Sequence, residues 1–313
     1  YKKTEDLLVN PETSQLLGVT APGSLLPLVN AGDVENQGFE FSISYKDKIG
    51  EDFNFNVNYN LATLQNKVLF VGSDTGVLFA GSFGVGQEND ISRMEEGFPI
   101  GYFYGLQTDG LFQTQSEVNS SSQPNAAPGD IRFIDRNQDG VIDDNDRTNI
   151  GDPIPTLTMG LSFSFDYKQF DFSAYAFASF GNEIVRNYER TTPLTNRTVY
   201  DLDRWTGPGT SNTVPRVTTG ATTNTLFSDY YLESGDFIRI QNVQFGYSLS
   251  DNALSSSGFD KFRIYLSGNN LFTFTKYRGF DPSATSGNPI GGGIDQGFYP
   301  VPRAILLGLN VQF

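Results

Sequence analysis

Strict two-residue alternation of apolar and polar side chains recurs along this chain, and no other feature restricts its fold as much. Phe53, Phe55, Val57, Tyr59 and Leu61 alternate with Asn54, Asn56, Asn58 and Asn60. Met159, Leu161, Phe163, Phe165 and Tyr167 alternate with Gly160, Ser162, Ser164 and Asp166. The same pattern runs through Phe39 to Tyr45, Val243 to Leu249, Phe262 to Leu266 and Ile305 to Phe313. Successive side chains of a strand point to opposite faces, so each segment has one apolar and one polar face. Phe170 to Phe180 is strand-like by its aromatics, with both faces partly apolar. In Phe237 to Gln241 the apolar frame slips near Arg239, as it does at a bulge.

Two architectures use such strands. A soluble β-sandwich with one wet face needs the same alternation. Two facts favour a membrane barrel wall instead. The segments run about 9 to 11 residues, enough to cross a bilayer at a tilt, whereas globular strands centre near about 5 or 6. The connections also alternate in length. Asp47 to Asp52, Lys168-Gln169 and Ser250 to Asp260 are short, while Val9 to Gly38, Asn66 to Thr156, Gly181 to Asp236 and Thr275 to Arg303 are long and polar. Short turns at one end and long loops at the other mark outer-membrane barrels. With the C-terminus in the periplasm, every long connection falls outside, provided Asn66 to Thr156 makes zero or an even number of crossings. Counting Tyr1 to Leu8 as a truncated strand gives eight crossings. Tyr45, Tyr59, Tyr167 and Tyr247 are expected near segment ends, as an aromatic girdle.

Composition narrows the chemistry. The 313 residues include no Cys and no His, and 36 acidic against 21 basic residues give a net charge of −15. A disulfide framework, a thiol nucleophile, a Ser-His-Asp triad and an imidazole-bound metal are therefore excluded. The acidic balance is wrong for nucleic acid, which demands clustered Lys and Arg. Only oxygen ligands remain for a metal, which points to calcium or magnesium. The chain starts at Tyr1 without a signal segment and is read as a fragment.

An ordered ladder of motifs then points to a family. It comprises Asn30-Ala-Gly-Asp-Val-Glu-Asn-Gln-Gly-Phe-Glu40, Glu96-Gly-Phe-Pro-Ile-Gly-Tyr-Phe-Tyr-Gly105, Thr108-Asp-Gly-Leu-Phe112 and Pro128-Gly-Asp-Ile-Arg-Phe133. Asp135-Arg-Asn-Gln-Asp-Gly140, Ile150-Gly-Asp-Pro153, Asp236-Phe-Ile-Arg-Ile-Gln-Asn-Val243, Ser267-Gly-Asn-Asn-Leu-Phe272 and the terminal Phe313 complete it. In this order and spacing, over nearly the whole chain, they resemble the C-terminal third of the SusC/RagA-like TonB-dependent transporters of Bacteroidetes outer membranes. The resemblance implies an all-β fold: residues 1–313 as the C-terminal part, about eight antiparallel strands, of a large transmembrane β-barrel with long extracellular loops. It implies import of oligosaccharides or peptides, a SusD-like surface lipoprotein as partner, and energy from the TonB complex through an N-terminal region with the plug, which this sequence lacks. Contact with outer-membrane lipid follows, in a Gram-negative, Bacteroidetes-like cell. A final strand ending in Phe313 resembles a barrel-assembly recognition signal, and an interfacial anchor is a second role for the same ring.

The sharpest chemical motif is Asp135-x-Asn137-x-Asp139-Gly140-x-Ile142-x-x-x-Asp146. Oxygen side chains at loop positions 1, 3, 5 and 12, with Gly at 6, are the spacing of a calcium loop. Asp135, Asn137, Asp139 and Asp146 would offer side-chain oxygens, Val141 its carbonyl and Asp143 a water-mediated contact. A metal-free loop of Asx turns uses the same residues. A structural Ca2+ is the one cofactor expected, with no catalytic residues. Gly287 to Gly293 lacks a phosphate-loop Lys and reads as a flexible tip. Glu95-Glu96 reads as solvated loop. Trp205, Tyr230, Tyr231, Phe298 and Tyr299 are placed to stack on sugars or to anchor loops. Transport is the leading function. The alternative is a secreted β-rich, calcium-stabilised binding or adhesion module, and an enzyme is least supported.

Overall fold

In a computed structural model, the described residues are 1–9, 29–30, 32–189, 196–220, 222–250, 254, 258–283 and 288–313. Seven long strands pair in chain order as one antiparallel sheet: β1 (Glu40–Ile49), β2 (Phe53–Thr63), β3 (Leu157–Tyr167), β4 (Phe170–Phe180), β5 (Phe237–Ser248), β6 (Lys261–Thr275) and β7 (Ala304–Gln312). They are 9 to 15 residues long. Short connections (50–52, 168–169, 249–260) lie at one end of the sheet and long ones (64–156, 181–236, 276–303) at the other.

The alternation seen in the sequence is in register across the sheet. Ile49, Phe53, Tyr167, Phe170, Tyr247, Ile264 and Leu309 stand level in one row. Phe55, Phe165, Phe172, Phe245, Leu266 and Leu307 form the next, with Asp47 at its end. A one-residue slip in any strand would turn its apolar set to the other face, so this matching fixes the register. The rings near the short turns also pack on one another: Phe53 on Phe165 at 5.4 Å, Phe165 on Phe172 at 5.3 Å and Phe170 on Tyr247 at 5.1 Å. Yet the face stays open. Ile305, Leu307 and Leu309 are 71%, 73% and 62% exposed.

Two expectations change and a third is met. Tyr1 to Leu8 is not an eighth wall strand; Lys2–Thr4 pairs with Gly32–Gln37, in a separate sheet with Gln65–Val71. The run is short, and Lys2, Lys3 and Thr4 offer no apolar face for a wall. Tyr167 and Tyr247 join the row beside the short turns, but Tyr45 and Tyr59 lie inside their strands, opposite Val57 and Leu161. The expected frame slip near Arg239 is a bulge: Tyr175 pairs with Asn242 and Ala176 with Ile240, which leaves Gln241 as the extra residue.

The buried core sits in the long connections rather than in the wall. Residues 64–156 contribute no wall strand, in keeping with the parity argument. They fold into short strands that pack Phe83, Ile91 and Phe103 against Val185, Phe227, Tyr231 and Ile294 from the other connections. A second cluster joins Val34, Val68, Val71, Leu78 and Met94, and a third Leu106, Leu111, Ile131 and Phe133. Among the described residues no helix is long and apolar enough to cross a membrane.

Candidate functional site

The connections are tied to the polar face of the wall. Arg239 stands on that face, level with Phe177 and Thr273. Its Nη2 donates to Asp281 Oδ1 at 2.5 Å, Nε to Thr273 Oγ1 at 2.9 Å and Nη1 to Ser283 Oγ at 3.0 Å. Asp281 Oδ2 accepts the Val301 N–H at 3.0 Å, so one carboxylate holds both ends of the 276–303 connection. Both side chains are about nineteen-twentieths buried. Burial works against the charge, but the Ser283 hydroxyl and N–H, the Val301 N–H and Arg239 together hold the Asp281 carboxyl below its ordinary range.

A second buried ionic cluster joins the last two connections. Arg186, at the end of the short strand Glu183–Arg186, ion-pairs with Glu189 and donates through Nη2 to the Tyr230 carbonyl at 2.7 Å. Its Nε lies 2.9 Å from Glu233 Oε1, close enough for an ion pair but off the line of a hydrogen bond. Glu233 also accepts from Arg278 Nε at 2.7 Å. The Arg186 guanidinium stands 5.0 Å from the Tyr230 ring, and that of Arg278 4.8 Å from the Tyr200 ring. Burial pushes the Glu189 carboxyl up, with Arg186 opposing, and pushes the Tyr230 phenol up as well. Beside the cluster, Glu189, Arg197, Asp201, Arg216, Tyr230 and Tyr231 help line a half-open cavity of about 240 Å³. Such a mixture of aromatic faces and charged tips suits a polar, hydrogen-bonding ligand.

In the Asp135–Asp146 loop the oxygens face backbone N–H groups. Asn137 Oδ1 accepts from the Asp139 N–H at 3.0 Å, and Asp139 Oδ1 from Val141 at 2.9 Å, both Asx turns. Buried Asp146 accepts from the N–H groups of Arg136 at 2.7 Å and Asp143 at 3.0 Å. Asp135 Oδ2 takes the Ser122 hydroxyl at 2.7 Å and the Gly140 N–H at 2.9 Å, while its Oδ1 is buried without a hydrogen-bond partner. The Ser122 hydrogen bond leads in holding the Asp135 carboxyl low. Gly140 has φ +86°, the left-handed turn its loop position calls for. Val141 is exposed. Among the described residues no group of three or more carboxylates converges as a metal cluster.

The singled-out aromatics divide. Trp205 donates through Nε1 to Gln113 at 3.1 Å and packs on Gly129, and Tyr231 is buried with its hydroxyl on the Asn224 carbonyl, so both anchor loops. Tyr299 is 90% exposed. Glu95 accepts the buried Tyr102 hydroxyl and is not simply solvated. The Gly-rich stretch is not a flexible tip over its described part, 288–293. Gly291 and Gly293 are buried, and a Cβ on Gly293 (φ +71°) would come within 2.5 Å of Pro153 and 2.9 Å of Phe103. Gly287 lies outside the described residues. Sequence reasoning missed Arg186, Glu233, Arg239 and Asp281, which look like ordinary loop and strand charges.

No family model matches the chain. It is 32% identical over 99% of its length to TonB-dependent receptor P3 of Formosa agariphila, and 30% identical over its full length to receptor P26 of the same organism. Against TonB-dependent receptor SusC of Bacteroides thetaiotaomicron it is 29% identical, again over the full length. The chain belongs to the SusC/RagA-like TonB-dependent receptors. It spans only 31%, 32% and 29% of those three relatives. Solved structures of the RagAB peptide importer share the fold of this receptor segment. In the "open-open" state the TM-score is 0.74 at 20% identity, and in the "closed-closed" state 0.76 at 21%, each over 99% of this chain and 32% of the solved one. The seven-stranded sheet of this receptor is thus barrel wall. Its apolar face is the one a bilayer covers, and its polar face, where Arg239 fastens the 276–303 connection, is the interior.

Proposed function

We propose that residues 1–313 are the C-terminal wall and extracellular loops of an outer-membrane importer of oligosaccharides or peptides. In this reading the TonB complex energises the importer through its plug-bearing N-terminal region, and it works with a SusD-like surface lipoprotein. One observation carries it: an exposed apolar band in register across seven strands, with every long connection at one end. RagAB is a peptide importer, which supports including peptides among the substrates. The function is transport rather than catalysis. A secreted adhesion module would leave that band in water, far beyond the apolar patches soluble surfaces carry.

Sidedness tests the reading directly, because this chain contains no cysteine. Leu202 is 75% exposed in a long connection, and Glu51 sits in a short turn. In the full-length receptor, Leu202→Cys is expected to react with a membrane-impermeant maleimide on intact cells, and Glu51→Cys only after permeabilisation. The reverse pattern, or a water-soluble protein, overturns the reading.

The same reading includes a structural Ca2+ held by Asp135, Asn137, Asp139 and Asp146 with the Val141 carbonyl. The unpartnered Asp135 Oδ1 and the all-oxygen donor set support it. Extracellular calcium modules bind at about 10⁻⁴ to 10⁻³ M. Ten millimolar calcium should therefore stabilise the loop by about 1–3 kcal/mol, seen as slower hydrogen exchange over 135–146 and lost in D135N/D139N. No calorimetric heat and unchanged exchange would refute it.

A further inference from the structure

We propose that Arg303, beside the Phe272 ring, binds the phosphate of an outer-leaflet lipid headgroup. The inference rests on the reading that the long connections face outward. Phe272 pairs with Ile240 and Phe274 with Ile238, which puts both rings on the apolar face, where they are 55% and 60% exposed. On the neighbouring strand, Leu309, Leu307 and Ile305 share that face. Arg303, Val301 and Tyr299 continue their alternate frame into the connection, all exposed. The Arg303 guanidinium lies 5.7 Å from the centre of the Phe272 ring, so the cation is on the lipid side of the wall rather than turned inward.

Height places it at the headgroups. From Phe313 to Arg303 is a step of ten residues (313 − 303). That is about 33 Å of extended chain, or about 23 Å of height at a tilt of about 45°. The apolar band of such barrels is about 25 Å tall. Among the described residues Arg303 makes no ion pair. Asp236, a carboxylate at the start of β5, is already engaged by the Gly181 N–H at 2.6 Å. Lys276, two residues past Phe274, is a second exposed cation at this rim. An exposed guanidinium over an aromatic ring, with no ion pair or hydrogen bond among the described residues, can meet a phosphate bidentately.

The test uses the full-length receptor in neutral detergent, offered phosphorylated lipid A or its dephosphorylated form, with bound lipid counted by native mass spectrometry. R303A and R303Q should each lower retention of the phosphorylated lipid about fivefold, the effect of one surface cation on an anionic leaflet. R303K, which keeps the charge but not the planar fork, should fall between R303Q and wild type, and the dephosphorylated lipid should not distinguish the variants. Using both substitutions guards against one that misfolds, and the electrophoretic mobility of the unheated barrel reports folding. Equal retention by wild type and R303Q, or equal retention of the two lipids by wild type, overturns the site. Maleimide labelling at Leu202→Cys separates the two failures. Outward labelling without an Arg303 effect overturns the lipid site alone, and absent labelling overturns the sidedness beneath it.

Discussion

Asp281→Ala in the full-length receptor is expected to loosen the 276–303 connection by about 3–5 kcal/mol, because it leaves Arg239 charged and buried without its partner. Arg239 and Asp281 have side chains only 6% and 5% exposed. Asp281 also closes its own loop through Ser283 and Val301, so the substitution removes the clasp at both ends. The wall strands should be unaffected, since Arg239 contributes its side chain and not the β5 register. Local opening is therefore the right readout: amide exchange should rise sharply in the described parts of 276–303 and stay unchanged in β5 and β6. R239A should do the same, and the double variant should cost less than the two singles added, since each removes the other's unpaired charge. The pH dependence has a definite sign. The folded carboxyl lies below its unfolded value, so its contribution is complete above that value and is lost as pH falls through the folded one. The clasp should hold at neutral pH and weaken only below roughly pH 4. Additive singles, or exchange in the loop unchanged, would show that the pair carries none of the loop's stability.

The wall was readable because its strands follow one simple rule. Phe53 to Leu61 and Met159 to Tyr167 alternate without interruption, and the face they share faces lipid, so nothing else had to be inferred to place them. The connections follow no such rule. Phe103, Leu111 and Ile131 come from strands of three or four residues, too short to show a period, and their partners lie far along the chain: Phe227 and Ile294 for Phe103, Trp205 and Leu226 for Leu111 and Ile131. Buried charges were hidden for a related reason: Arg186, Asp281 and Asp130 differ from surface loop charges only in what surrounds them. The calcium-loop spacing located Gly140's turn and the compact Asp135–Asp146 loop. Spacing alone does not say whether oxygens meet a cation or the chain's own N–H groups, and here Asn137 and Asp139 are seen with the latter. The Pro128–Phe133 motif was recognised only as a resemblance, and the structure supplies its physical reason.

That reason gives the second large effect. Asp130→Ala should destabilise the connection layer by about 3–5 kcal/mol, more than any surface substitution in these loops. Asp130 is 0% exposed and accepts hydrogen bonds from Arg216 Nε at 2.7 Å, Arg216 Nη2 at 3.0 Å, Asn224 Nδ2 at 2.9 Å, Thr222 Oγ1 at 3.2 Å and the Ala127 N–H at 2.8 Å. One carboxylate thus fastens the 181–236 connection to the 64–156 connection. Gly129 beside it must be glycine on two counts: its φ is +87°, and a Cβ would fall 2.4 Å from the Trp205 ring. Removing Asp130 leaves Arg216, whose side chain is three-quarters buried, and the Asn224, Thr222 and Ala127 donors around a small void. Asp130→Asn keeps the size and two acceptor lone pairs but loses the charge, so it should fall between alanine and wild type. Protease cleavage in 206–220 is the measure, with cleavage in the β3–β4 turn as the internal reference. A selective rise in the former, ordered Ala above Asn above wild type, is the expected result. Equal rates for D130A and wild type would mean that Trp205 and Gly129 hold the two connections without the carboxylate.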